Sequence, residues 1–149
     1  MKDLTHKECL DLLTRNYIGR ISFISKGNPE IIPITYYYNP EKNSIISYSG
    51  EGSKITAMRK NNSVSFQVDE ISDLDKWKSV LVYGKYEELS GIDAKHVLRL
   101  FSEGVKNLLQ KKEKNNANFI SEFSSKIDSE GTPVVYRINI SNITGRQRV

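Results

Sequence analysis

The five residues Gly50-Glu51-Gly52-Ser53-Lys54 combine the parts of an anion cradle. Glycines let backbone amides approach a ligand, a helix opening at Ser53 offers unpaired N–H groups and a positive dipole end, and Lys54 adds a full charge. The same Gly-x-Gly pattern also serves as a plain turn, and Glu51 opposes an anion unless its carboxylate turns to solvent. Pro33 is a second unusual residue, because it interrupts an otherwise strand-like run from Ile31 to Tyr38. Proline removes a ladder donor, so it belongs at an edge, a bulge or a barrel seam. There its neighbours' backbone groups face either solvent or a planar polar ligand. Tyr36, Tyr37, Tyr38, Tyr48 and Trp77 supply aromatic surface that can wall a cofactor, fill a core or build a dimer interface. Phosphate cradle, broken strand and aromatic wall together fit a mononucleotide better than they fit DNA.

Other chemistries lack their parts. There is no Gly-x-Ser-x-Gly, no Walker loop, no strand-borne Gly-x-Gly-x-x-Gly and no His-Glu-x-x-His. His6, His96 and Cys9 are too few and too scattered to ligate a metal. The chain has 149 residues, with 22 Lys plus Arg against 18 Asp plus Glu, a net charge of +4. Much of the excess lies between Lys106 and Lys114 and in the tail Arg146-Gln147-Arg148, which reads as a solvated helix end and tail; neither nucleic acid nor membrane is expected as a partner. A single cysteine forms no internal disulfide and points to a reducing, cytoplasmic setting. Met1 to Leu13 is studded with charge and lacks a signal-peptide apolar run.

The elements that must position these residues follow from periodicity. Thr5 with Glu8 has capping-box spacing and opens a helix over 5–17. Strands are expected at Arg20–Ile24, Ile31–Tyr38, Ser44–Ser49, Ser63–Asp69, Trp77–Glu88 and Pro133–Ile140, the first two forming a hairpin across Lys26–Pro29. Ser53–Lys60 is a short helix. Ala94, Val97, Leu98, Phe101, Val105 and Leu108 recur at helical spacing, marking a helical insertion from about 92 to 124 that ends with Phe119, Ile120 and Phe123. The expected architecture is a single α+β domain over 1–149, a six-stranded antiparallel split β-barrel (20–89 and 133–140) with flanking helices.

Ile18-Gly19-Arg20-Ile21-Ser22-Phe23, Ile32-Pro33-Ile34-Thr35-Tyr36, Gly52-Ser53-Lys54-Ile55, Met58-Arg59-Lys60-Asn61-Asn62 and Trp77-Lys78-Ser79-Val80 occur in this order. Together with Thr144-Gly145-Arg146, the set resembles the pyridoxamine 5'-phosphate oxidase-like FMN-binding split-barrel family, in its nitroimidazole-resistance-type branch. The resemblance spans Leu4 to Arg146. It implies FMN at the interface of a homodimer and an oxidoreductase acting on a small molecule, with NAD(P)H a candidate electron donor. Carried over by position, Pro33, Ile34, Thr35 and Tyr36 line the isoalloxazine edge. Gly52, Ser53 and Lys54 bind the phosphate, Trp77 and Ser79 approach the flavin, and Arg59 is either a second phosphate partner or a solvated residue. Tyr48 stands where the family often has a histidine, in Gly-His-Thr-x-x-Gly-x-Lys. The arginine and histidine set that binds substrate phosphate in true pyridoxamine phosphate oxidases is not evident. A non-catalytic flavin-binding or sensing module, and a haem- or deazaflavin-binding relative, are the alternatives.

Overall fold

In the computed structural model, which describes residues 1–113 and 133–149, eight strands and three helices follow in order. They are β1 (Lys2–Asp3), α1 (His6–Arg15), β2 (Ile18–Ser25), β3 (Asn28–Thr35), β4 (Tyr37–Asn39), β5 (Ser44–Ser49), α2 (Ser53–Lys60), β6 (Ser63–Asp73), β7 (Lys76–Leu89), α3 (Gly91–Glu113) and β8 (Val134–Arg148). Alternation in β6 and β7 turns Val64, Phe66, Val68, Val80, Val82 and Tyr86 inward. The intervening residues form an outer wall. Thr5 completes the predicted capping box of α1, its side chain accepting from the Glu8 amide while Glu8 accepts from the Thr5 amide.

All pairings are antiparallel, and the strands run β3-β2-β6-β7-β8-β5-β4, with β1 added to the end of β8. β3 and β4 are separated in the chain by Tyr36 alone, yet they stand at opposite ends of that path. The sheet therefore curls until its two ends are one residue apart, an open, split barrel. Three hydrogen bonds pin the crossing. The Tyr36 amide donates to the Tyr17 carbonyl (2.8 Å), the buried Tyr36 hydroxyl donates to the Leu13 carbonyl (2.8 Å), and Ser47 Oγ donates to the Thr35 carbonyl (2.8 Å).

The α+β antiparallel architecture is as expected from the sequence, but the strand count differs. Ile31–Tyr38, read as one strand, is two, because Tyr36 takes its backbone partner from Tyr17 instead of a sheet neighbour. The last strand does not stop at Ile140. It continues to Arg148, paired with β7 throughout and with β1 at its end, so the supposed solvated tail is sheet. Phe119, Ile120, Phe123 and the rest of the expected insertion beyond Glu113 lie outside the described residues. No described helix is long and apolar enough to cross a membrane.

Two cores back this sheet. Inside the curl, Leu12 and Leu13 of α1 and Ile55 and Met58 of α2 plug against inward strand residues. Outside, α3 lays Val97, Phe101, Val105 and Leu109 on Ile46 and Val135. Ile45 and Ile46 are thus both fully buried, one on each face of β5. The end of α3 is tied down electrostatically. Arg15 grips Glu70 with two hydrogen bonds (2.7 and 2.8 Å), Asn16 Nδ2 donates to the same carboxylate (2.8 Å), and Lys112 Nζ donates to Asn16 Oδ1 (2.8 Å).

At the β7–β8 register shift, a Cβ on Gly84 would meet the Asn139 carbonyl oxygen at 2.5 Å and Ile138 Cγ2 at 2.6 Å. Backbone cannot rotate aside as a side chain can, so Gly84→Ala should cost about 2 kcal/mol in a urea melt; an unchanged midpoint would contradict this packing. The Arg15 guanidinium holds the Glu70 carboxyl down at about 2, against an ordinary 4.5. Its stabilisation is therefore complete above pH 4.5 and lost as pH falls toward 2. Glu70→Gln should lower stability at pH 7 by about 1 kcal/mol, the upper end for a partly exposed pair. The gap from wild type should narrow on acidification, and a pH-independent gap would refute the assignment.

Candidate functional site

α2 starts differently from α1. Its N-cap is Gly52, which provides no side-chain cap, so the first amides of the helix are left for solvent or a ligand. A Cβ on Gly52 or on Gly50 would meet nothing within 4 Å, so the approach is open. Ser53 is exposed, whereas Lys54, one residue on, is half-buried. The Lys54 ammonium sits 5.9 Å from the centre of the Tyr136 ring, on the inner face of β8, and burial pulls its pKa below the ordinary lysine value. Among the described residues it has no ion pair. The hydroxyl of Tyr136 is buried without a hydrogen-bond partner among them. Lys54 is thus a desolvated cation lacking a counter-charge, beside uncapped helix amides, and this arrangement suits an anionic group.

Arg59, on the same helix, is in the opposite situation. Glu51 takes two of its hydrogen bonds (2.7 and 3.0 Å) and Glu88 takes two more (2.8 and 2.9 Å). Both carboxylates raise its pKa, Glu88 most. Glu88 also accepts from the Tyr86 hydroxyl (2.7 Å). Arg59 therefore clasps the Gly50–Gly52 loop to the end of β7, and its charge is already matched. The carboxylate of Glu51, which by sequence opposes an anion, is held by this arginine and makes no ion pair with Lys54.

The remaining sequence candidates lie elsewhere. The Tyr36 ring is fully buried, edge-on to Phe66 at 4.8 Å. Tyr48 packs edge-on against Phe101 of α3 at 5.3 Å, on the face of β5 opposite Ser47. Pro33 sits on β3, an end strand paired only with β2, directly across from Arg20. Ile34 turns inward and is buried, while Thr35 is half-buried. Trp77 and Ser79 are half-buried on the outer wall.

On that wall a polar stripe crosses the sheet that periodicity alone did not single out. Arg20 Nη1 donates to Asp69 Oδ2 (3.3 Å), and Gln67 Nε2 donates both to Asp69 Oδ2 (2.9 Å) and to Ser79 Oγ (3.0 Å). The alternation of β6 already put Gln67 and Asp69 on the face away from Phe66, but their partners come from other strands. Polar groups ordered among Trp77, Leu81 and Ile18 resemble the lining of a ligand site or interface.

The candidates thus form two groups. Lys54 neighbours Tyr136, which pairs with Glu88 near one end of β7, whereas Trp77 lies eleven residues back along that strand. That is a path of up to roughly 35 Å. The first group sits at the inner face near one end of β7 and the second on the outer wall near the other, so the two face apart within a single chain.

The family model described as pyridoxamine 5'-phosphate oxidase matches residues 5–147. An uncharacterized protein of Rhizobium meliloti (strain 1021), RA0666, is 33% identical over 109 residues, 73% of this chain and 69% of that protein. The crystal structure of a FAD-binding protein from Mesorhizobium loti is 32% identical, with a TM-score of 0.75 over 99% of this chain and 96% of its own. A candidate 5-nitroimidazole antibiotic resistance protein from Bacteroides thetaiotaomicron shares the fold at 15% identity, with a TM-score of 0.69 over 97% of this chain and 85% of its own. A match over nearly the whole length, on this split-barrel topology, establishes that the chain belongs to the pyridoxamine 5'-phosphate oxidase family.

Proposed function

We propose that this protein binds FMN between two copies of the chain and acts in the cytoplasm as an FMN-dependent oxidoreductase on a small molecule. The observation that carries the reading is Lys54, a half-buried ammonium without an ion pair among the described residues, at the uncapped start of α2. A phosphate carrying about −1.5 to −2 charges supplies the missing counter-charge and the missing acceptors together. When bound, the flavin supplies the redox chemistry, and the chain's part is to bind, orient and exclude water.

In this reading Gly52, Ser53 and Lys54 hold the phosphate. β3 pairs on one side only, so the outward backbone groups around Pro33, apart from the Thr35 carbonyl that Ser47 holds, meet the edge of a flavin ring, which gives the proline its place. Trp77 and Ser79 come from the second copy, because they stand too far from Lys54 in their own chain. Exposed apolar residues on the outer wall, Ile18, Ile31, Ile71 and Tyr83, are each 49–68% accessible and favour its burial against another chain.

Two observations favour variants of the reading. The Mesorhizobium loti relative, 32% identical, is a FAD-binding protein, which supports FAD in place of FMN; chromatography of the released flavin separates the two. His6 and His96 are exposed on α1 and α3, so no imidazole is at hand for proton transfer. That favours a flavin-binding module without turnover, which reduction of the bound flavin by NADPH would exclude.

Purified protein should show flavin absorbance or acquire it on adding FMN, and a protein that does neither contradicts the proposal. Lys54→Ala should weaken FMN retention at least about tenfold, consistent with loss of a charge-assisted contact. Lys112→Ala should leave it unchanged, and equal retention in the two variants would remove the phosphate assignment. Because the Lys54 pKa is depressed from 10.5 by burial, FMN affinity should fall as pH rises through that lower value. Riboflavin, which has no phosphate, should not follow; parallel curves for the two ligands would count against Lys54.

A further inference from the structure

We propose that Arg146 and Arg148 form an anion-recognising rim beside Trp77 and Ser79, selecting a small-molecule substrate that carries a phosphate or carboxylate. The role in catalysis rests on the flavin reading above, whereas the anion binding itself does not. Register places the two arginines: Arg146 is the β8 partner of Ser79, and Arg148 is the partner of Trp77. Directly paired residues share a face with Cβ atoms about 5 Å apart. Both side chains therefore stand on the outer wall next to the residues assigned to the flavin. Gly145, immediately before Arg146, is buried against Leu4 and Cys9, which fixes the alternation.

Their charge is poorly matched by the protein. Arg146 Nη1 has only the Met1 thioether at 3.8 Å, and among the described residues it makes no ion pair. Asp3 is its strand partner on the other side without reaching ion-pair distance. Arg148 lies 3.8 Å from Asp75, an 81% exposed carboxylate. Asp69, on the same wall, is engaged by Arg20 and Gln67. The other outer-wall arginines have nearer carboxylates: Arg20 has Asp69 at 3.3 Å and Arg137 has Glu87 at 2.8 Å. Two guanidinium forks at alternate strand positions, about 7 Å apart at their Cα atoms, can each engage a carboxylate or phosphate bidentately. The indole of Trp77 alongside Arg148 adds a flat apolar surface. The ligand class is thus a planar or apolar body with an acidic group.

Trp77 is the chain's only tryptophan and reports on this place directly. The protein as purified is titrated at low salt with inorganic pyrophosphate and, separately, with succinate, following Trp77 emission and heat. A saturable signal is expected for at least one probe, and the tighter of the two identifies the acidic group. The signal should persist in Lys54→Ala and weaken at least tenfold in the double variant Arg146→Gln/Arg148→Gln. No saturable signal in the wild type, equal affinity in the double variant, or loss in Lys54→Ala would overturn the proposal. Visible absorbance of the same samples reports flavin content separately: its absence contradicts the flavin reading, and the anion titration still decides this one.

Discussion

The passage of the chain through Tyr36 determines the layout of everything else. Two strands adjacent in sequence must occupy opposite ends of a seven-strand path, and that is satisfied only if the sheet curls back on itself. A buried tyrosine whose hydroxyl reaches the Leu13 carbonyl and whose amide reaches the Tyr17 carbonyl makes the turn without an unsatisfied donor. Leaving either unmet in this core would cost about 1–3 kcal/mol. The same crossing leaves β3 as an open edge, turns Pro33 from a defect into an edge-strand residue, and closes the inner core over which α2 and Lys54 sit.

Charge around α2 is arranged so that Arg59 is matched by carboxylates while the half-buried Lys54 has no ion pair among the described residues. Arg59 is more basic and closer to the surface, yet two carboxylates consume it in holding the glycine loop to β7. Lys54 is weaker, half-desolvated and without an ion pair among the described residues. A bound anion returns to it the electrostatic stabilisation that burial removed, and the helix that would otherwise end in bare amides gains acceptors. A stability-optimised sequence would cap α2 with Ser, Thr or Asp, as Thr5 caps α1. The exposed apolar residues and the polar stripe of the outer wall are the corresponding incompleteness on the other side of the molecule.

Local signals carried the local features. The capping box at Thr5, the Ser53–Lys60 helix, the β2–β3 hairpin and the alternation of β6 each depend on residues within one or two turns of chain, and each stands where the sequence put it. The break at Tyr36 was not legible, because Ile34-Thr35-Tyr36-Tyr37 has uniformly high strand propensity and the competing partner, Tyr17, comes from another segment. The tail at Arg146–Arg148 looked solvated because its strand character arises from pairing with β7 and β1. The cradle was visible as Gly52-Ser53-Lys54, but the neutralisation of Arg59 was not, since Glu88 lies 29 residues away. Nothing in linear order reveals that Lys54 of α2 lies near one end of β7 while Trp77 lies near the other, and that separation carries the argument for a second copy.

A mixed-chain experiment tests that claim most directly. Lys54→Ala and Trp77→Ala chains, each deficient in flavin binding alone, are unfolded, mixed in equal amounts and refolded together. If the site is shared between copies, each hybrid dimer has one site bearing both substitutions and one bearing neither. Random pairing then restores about a quarter of the wild-type flavin sites. Recovery near that level is the predicted result; no recovery beyond that of the separately refolded variants would show that each chain builds its site alone and would contradict the account.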